Sequence, residues 1–116
     1  MPTKANPRDL FPGALEMMIL ESLRRQSAHG YALVQHIQQR SNNLLQVEEG
    51  SLYPALYRLE ENGLISAEWG ISEHNRRAKF YRLTGAGRKQ LAASQTYWSR
   101  FAKAVTRVLE VSPARG

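Results

Sequence analysis

The chain has 116 residues, a length that suits one domain with a modest core. Its 42% of hydrophobic residues marks a globular protein, and the absence of cysteine excludes disulfides, cysteine-based metal sites and thiol chemistry, in keeping with a reducing cytoplasm. A formal net charge of +6 favours an anionic partner; no apolar run reaches the ~18 residues of a membrane span, and the opening MPTKANPRDLFPG lacks the apolar core of a secretory signal.

Three prolines in that opening predict an extended arm over residues 1–13. In LEMMILESLRRQ, the spacing of Leu15, Met18, Ile19, Ser22 and Leu23 predicts a first helix from about 14 to 25. HGYALVQHIQQRS predicts a second, begun near His29 and carrying Leu33, Val34 and Ile37 as its apolar stripe. LLQV, residues 44–47, reads as a small strand able to pair with a later hairpin.

The stretch EGSLYPALYRLEENGLI supplies a third helix. Proline has no N–H and its ring collides with the carbonyl four residues back, so Pro54 predicts a start near Gly50 or Ser51, with Ser51 free to cap. Leu52, Ala55, Leu56 and Leu59 share its inner face, and Asn62-Gly63-Leu64 is a stop signal. Ile65, Ala67, Trp69 and Ile71 then alternate with period two, and AKFYRL is a second β-prone run, so residues 64–83 read as a hairpin. Its loop lacks Asn-Gly or Gly-Gly, which predicts a longer, mobile tip. Thr84 caps a last helix that nothing interrupts until about Val111; Gly85 and Gly87 weaken its first turn by up to ~1 kcal/mol each. The expected class is mainly α with a small β-hairpin: a winged helix-turn-helix over 14–83 and a C-terminal dimerisation helix over 84–112.

With the leucines inward, Ser51, Pro54, Arg58 and Glu61 fall on one side of the third helix, flanked by Tyr53 and Tyr57. Side chains at a helix N-terminus can reach base edges, so Ser51, Tyr53, Pro54 and Arg58 are the candidate recognition residues. The same residues can also be read as cap, helix start and packing. This helix has three glutamates against Arg58, net −2, whereas residues 71–82 have Arg76, Arg77, Lys79 and Arg82 against Glu73, net +3. The hairpin is therefore the cationic element, with Asn75, Arg76, Arg77 and Lys79 as candidate DNA contacts.

The segments HGYALVQHI, EEGSLYPALYRLEENGLISAEW and RRAKFYRLTGAGRKQL resemble the PadR family of bacterial transcription regulators. Most specific are Gly50 to Leu56, Arg58 to Ile65 and Tyr81 to Gly87, and the resemblance runs from about Leu15 to the end of the last helix. It implies a homodimeric winged-helix repressor on a palindromic operator; the expected location is the cytoplasm. It matches Ser51 and Tyr53 to the start of the recognition helix, and Arg76, Arg77 and Lys79 to the basic wing. His29 and Tyr31 are the candidates for contact with the DNA backbone, Tyr31 by its match to a family tyrosine. At the wing tip, EHN stands where relatives have a glycine-rich turn.

Leu91, Ser94, Trp98, Phe101, Val105 and Val108 alternate by three and four, a coiled-coil stripe that predicts a dimer seam. Burying Trp98 and Phe101 alone removes ~300–400 Å² from water, ~8–10 kcal/mol gross before association costs. Packing on the helix's own domain is the alternative. In some small relatives the seam encloses an aromatic-lined pocket for flat hydrophobic compounds; Trp98, Phe101 and Met18 are the candidates here, and Trp98 also fits a plain interface role. No cofactor is expected, and no metal: His29, His36 and His74 lack ligand spacing. No nucleophile–base pair or phosphate loop is present, so no enzyme is expected. The rival function is a winged-helix protein-interaction module, with Tyr53, Pro54 and Tyr57 as the docking patch.

Overall fold

A computed structural model describes residues 13–109. The order is α1 (Ala14–Leu23), β1 (Ala28–His29), α2 (Gly30–Arg40), α3 (Glu49–Glu61), β2 (Ile65–Ile71), β3 (Arg77–Leu83) and α4 (Gly85–Val108). The expected arm lies outside the described residues except for Gly13, as do the last residues of the expected C-terminal element.

Helices α1, α2 and α3 enclose a core of Leu15, Ile19, Leu20, Leu33, Leu52 and Leu56, closed below by Ile65 of the sheet. Each helix ends for a local reason. His29 accepts the Ala32 N–H at 3.3 Å and so caps α2. Asn42 and Asn43, both at positive φ, turn the chain after it. At the end of α3, Gly63 takes φ 73° and the Leu64 N–H reaches back to the Leu59 carbonyl at 2.9 Å, as the stop signal predicts.

Four readings are corrected here. First, α3 begins at Glu49 behind Glu48, with no side-chain cap, so Pro54 falls in its second turn. The carbonyl it leaves unbonded is that of exposed Gly50, which water can satisfy. Second, the third strand is not 44–47 but Ala28–His29, paired antiparallel with β3 in the sheet order β1-β3-β2. Third, the hairpin tip is short and tied. Ser72 N–H donates to the Arg76 carbonyl (2.8 Å), Asn75 N–H donates to the Ser72 carbonyl (2.9 Å), and Asn75 takes the positive φ usually given to glycine. This is a three-residue turn with a bulge, built without Gly because Asn tolerates that conformation. Fourth, Gly87 is more than a weak helix former: a methyl there would drive into the Leu64 carbonyl oxygen, so its bareness lets α4 seat on the end of α3.

Thr84 caps α4 by accepting the Gly87 N–H at 3.0 Å, while its own hydroxyl donates to the Gly63 carbonyl at 2.7 Å. Beyond Leu91, α4 runs out along the molecule, with Trp98, Phe101 and Val105 partly exposed and Val108 largely so. Its 24 residues include five cations (Arg88, Lys89, Arg100, Lys103 and Arg107) and no acid.

Candidate nucleic-acid interface

A cleft of about 960 Å³ lies between the N-terminal half of α3, the start of α2 and the hairpin wing. Tyr31, Tyr53, Trp69, Arg76, Arg77 and Lys79 line it. Three elements therefore bring aromatic and cationic side chains to one exposed face.

Tyr53 is held there by a missing side chain. A methyl on Gly30 would sit 2.7 Å from the Tyr53 hydroxyl, so the hydroxyl end of the ring packs against the bare start of α2. Tyr31 is exposed beside it, its hydroxyl accepting from Gln35 at 3.2 Å.

The wing's charges are sorted. Arg82 pairs with Glu68 at 3.3 Å, and Lys79 pairs with Glu60 of α3 at 3.4 Å. Lys79 also lies over the Tyr81 ring (5.8 Å), where burial pushes the phenol above its ordinary pKa and the ammonium opposes the shift. Arg77 stacks on Trp69, 4.6 Å from the ring centroid, and Arg76 projects from the turn. Neither makes an ion pair among the described residues, so the net +3 of the sequence reduces to two available guanidinium groups at the tip.

Glu73 bends back from the tip. Its carboxylate sits 3.3 Å from His29 Nε2, and the His29 ring packs edge-on against Phe80. Because Nδ1 accepts from Ala32, Nε2 is the nitrogen that donates. The bonded backbone of Glu73 and then His29 hold its carboxyl below the ordinary carboxylate range.

Several sequence-based placements change. Ser51 is 6% exposed, turned into the core side of α3 and away from any groove. Arg58 is exposed but pairs with Glu16 of α1 at 2.6 Å, off the cleft. Pro54 is exposed on α3, and it is not among the residues lining the cleft. His29 is buried and bound on both ring nitrogens, so it orders the site from below. Tyr53, Tyr31, Arg76, Arg77 and Lys79 do converge, while Asn75 forms the bulge of the tip. The sequence reading missed Trp69 and Gly30 as parts of this face. Trp69 opposes Lys79 and lies two register steps from Arg77, on the same face, a relation available only once the turn length is known.

Residues 19–93 match the model of the Transcriptional regulator PadR-like family. The chain belongs to that family. It is 32% identical over 98 residues to the transcriptional regulator Rv3488 of Mycobacterium tuberculosis, covering 84% of this chain and 88% of the relative. Among solved structures, a transcriptional regulator from Clostridium thermocellum, Cth-833, superposes with a TM-score of 0.78 at 29% identity, covering 85% of this chain and 96% of the other. A PadR family regulator from Eggerthella lenta does so with 0.75 at 32% identity, over 90% and 89%. The protein is thus a DNA-binding regulator of PadR type with a winged-helix fold, in a family of regulators rather than enzymes. Among the described residues no cluster of three or more acids and histidines could hold a metal, and no helix is long and apolar enough to cross a membrane.

The PadR chain has a second exposed feature. An open groove of about 520 Å³ between α1 and α4 is lined by Met17, Ala93, Tyr97, Trp98 and Phe101. Phe101 stacks with Tyr97 (6.1 Å between centroids) and meets Trp98 at 6.2 Å. Two placements change here as well. Met18 faces the other side of α1, toward His36 and Ile37; it is Met17 that faces α4. Leu91 is 2% exposed and belongs to the domain's own core, so the partly exposed stripe begins further along and runs through Trp98, Phe101, Val105 and Val108.

Proposed function

We propose that two copies of this chain bind a palindromic operator and block transcription in the cytoplasm. The observation that supports this is the convergence of Tyr53, Tyr31, Arg76 and Arg77 on one exposed face around the start of α3. In this reading the first turns of α3 enter a major groove, with Tyr53 reaching base edges. Tyr31 and Arg76 contact phosphates on either side. Lys79 leaves Glu60 for the backbone when duplex arrives, and Asn75 sets the tip. The roles first given to Ser51, Arg58 and His29 become structural.

The dimer is formed by the stripe Trp98, Phe101, Val105 and Val108, each of which keeps part of its apolar surface exposed. Two stripes meeting would close the α1–α4 groove into a pocket for a flat hydrophobic effector held by Trp98, Phe101 and Met17. Half-sites would then lie about one helical turn apart.

Arg76→Ala with Arg77→Ala tests the wing. Affinity for DNA retained from the protein's own upstream region should fall, and the slope of log K against log salt should shrink by ~0.9 for each phosphate that the variant leaves unneutralised. An unchanged slope would remove the wing from the interface. Equal retention on upstream and scrambled duplex would favour the protein-interaction module.

A further inference from the structure

The two strands of the wing present chemically different faces. One bears Glu68 and Arg82, paired with each other. The other, continuing outward from buried Ile65, carries Trp69 and Ile71 on β2 opposite Lys79 and Arg77 on β3. That second face holds no acid, and the only acid of the tip, Glu73, is turned away to His29. Trp69 is 57% exposed and Ile71 64%, an unusual extent of apolar surface on a projecting hairpin. Arg77 lies over the indole at 4.6 Å.

An arginine stacked on an indole is fixed in direction and already dehydrated on one side. Much of the ordering and desolvation cost of entering a narrow groove is then met in advance. We propose that Trp69 is a shelf that presents Arg77 to the minor groove beside the half-site, with Ile71 packing on the sugar edge. The wing thereby selects A·T-rich flanks. Trp69 is a positioning residue in this scheme; Arg77 is the group that enters the groove. Lys79, tied to Glu60, and Arg76, free at the turn, are left for phosphates. The inference rests on duplex binding by the cleft, and its test separates the two.

Three short duplexes of equal length, alternating dA·dT, dG·dC and dI·dC, are compared by fluorescence polarisation at low salt. Inosine lacks the guanine 2-amino group, so dI·dC has the minor groove of A·T with a major groove close to that of G·C. The wild-type chain should bind dI·dC like dA·dT and both more tightly than dG·dC. W69L should weaken binding to dA·dT and dI·dC by about three- to tenfold and leave dG·dC nearly unchanged. W69F should restore most of the preference, and W69L should do little further in an R77A background. In W98F protein Trp69 is the one tryptophan left, and its emission should change on adding dA·dT. Grouping of dI·dC with dG·dC, a uniform loss on all three duplexes in W69L, or unaltered Trp69 emission would each overturn the proposal while leaving duplex binding intact. Absence of binding to every duplex would instead overturn the functional reading beneath it.

Discussion

The wing cleft and the α4 stripe both expose aromatic rings, but they expose them in opposite company. In the cleft, Trp69 and Tyr53 are interleaved with Arg76, Arg77 and Lys79. Along α4, Tyr97, Trp98 and Phe101 face a groove with Met17 and Ala93, and the helix's cations lie on its other side. A mixed aromatic–cationic surface suits a charged, flat-faced polymer and tolerates water meanwhile. A mainly apolar one suits a surface like itself. The same residue type thus points to different partners according to its neighbours.

The sharpest way to break this contrast is to charge the stripe. Phe101→Asp should leave the helical content of the domain intact by circular dichroism, yet give a monomer in sedimentation and lower operator affinity by more than ~100-fold, since both half-sites are then bound separately. Leu91→Ala sets the boundary between core and seam. It should cost ~2–4 kcal/mol in urea unfolding at high protein concentration as well as low, the mark of a core residue. In the cleft, Gly30→Ala should displace Tyr53 and weaken the operator complex by about tenfold with ~1 kcal/mol or less of stability lost, measured by titration and melting together. The smallest effect belongs to Glu73. Its folded pKa is depressed, so its pairing with His29 is present above the ordinary carboxylate range and disappears as pH falls through the lowered value. Glu73→Gln should therefore loosen the wing at neutral pH, read as faster amide exchange at Phe80 and Ala32, with little change in global stability.

Much of the architecture was readable because local chemistry decided it. Gly63 had to end α3, Thr84 had to cap α4, and period two in Ile65 to Ile71 had to be a strand. What escaped depended on where elements meet. Ser51 shares a helical side with Pro54, yet lies close enough to the leucine face to be buried. The helix pattern groups Arg58 with the recognition residues, but its partner Glu16 comes from 42 residues away. Leu91 fits a heptad as well as it fits the core, and only the seating of α4 through Gly87 decides between them. Strand β1 has two residues, too few for any periodicity to register. The cleft shows the same division: the basic wing was visible as a charge run, whereas the Trp69–Arg77 stack required the register of a turn whose length the missing Gly disguised.

The acid-free α4 carries one more implication. In the proposed dimer two strongly basic rods lie alongside one another with no carboxylate in either α4 to zip them, so their mutual repulsion opposes assembly and apolar packing, not charge pairing, sets their alignment. Added electrolyte relieves that repulsion while it competes the protein off its duplex. In that dimer, ionic strength would pull the two halves of the molecule's work in opposite directions: pairing would tighten as grip on the operator slackened.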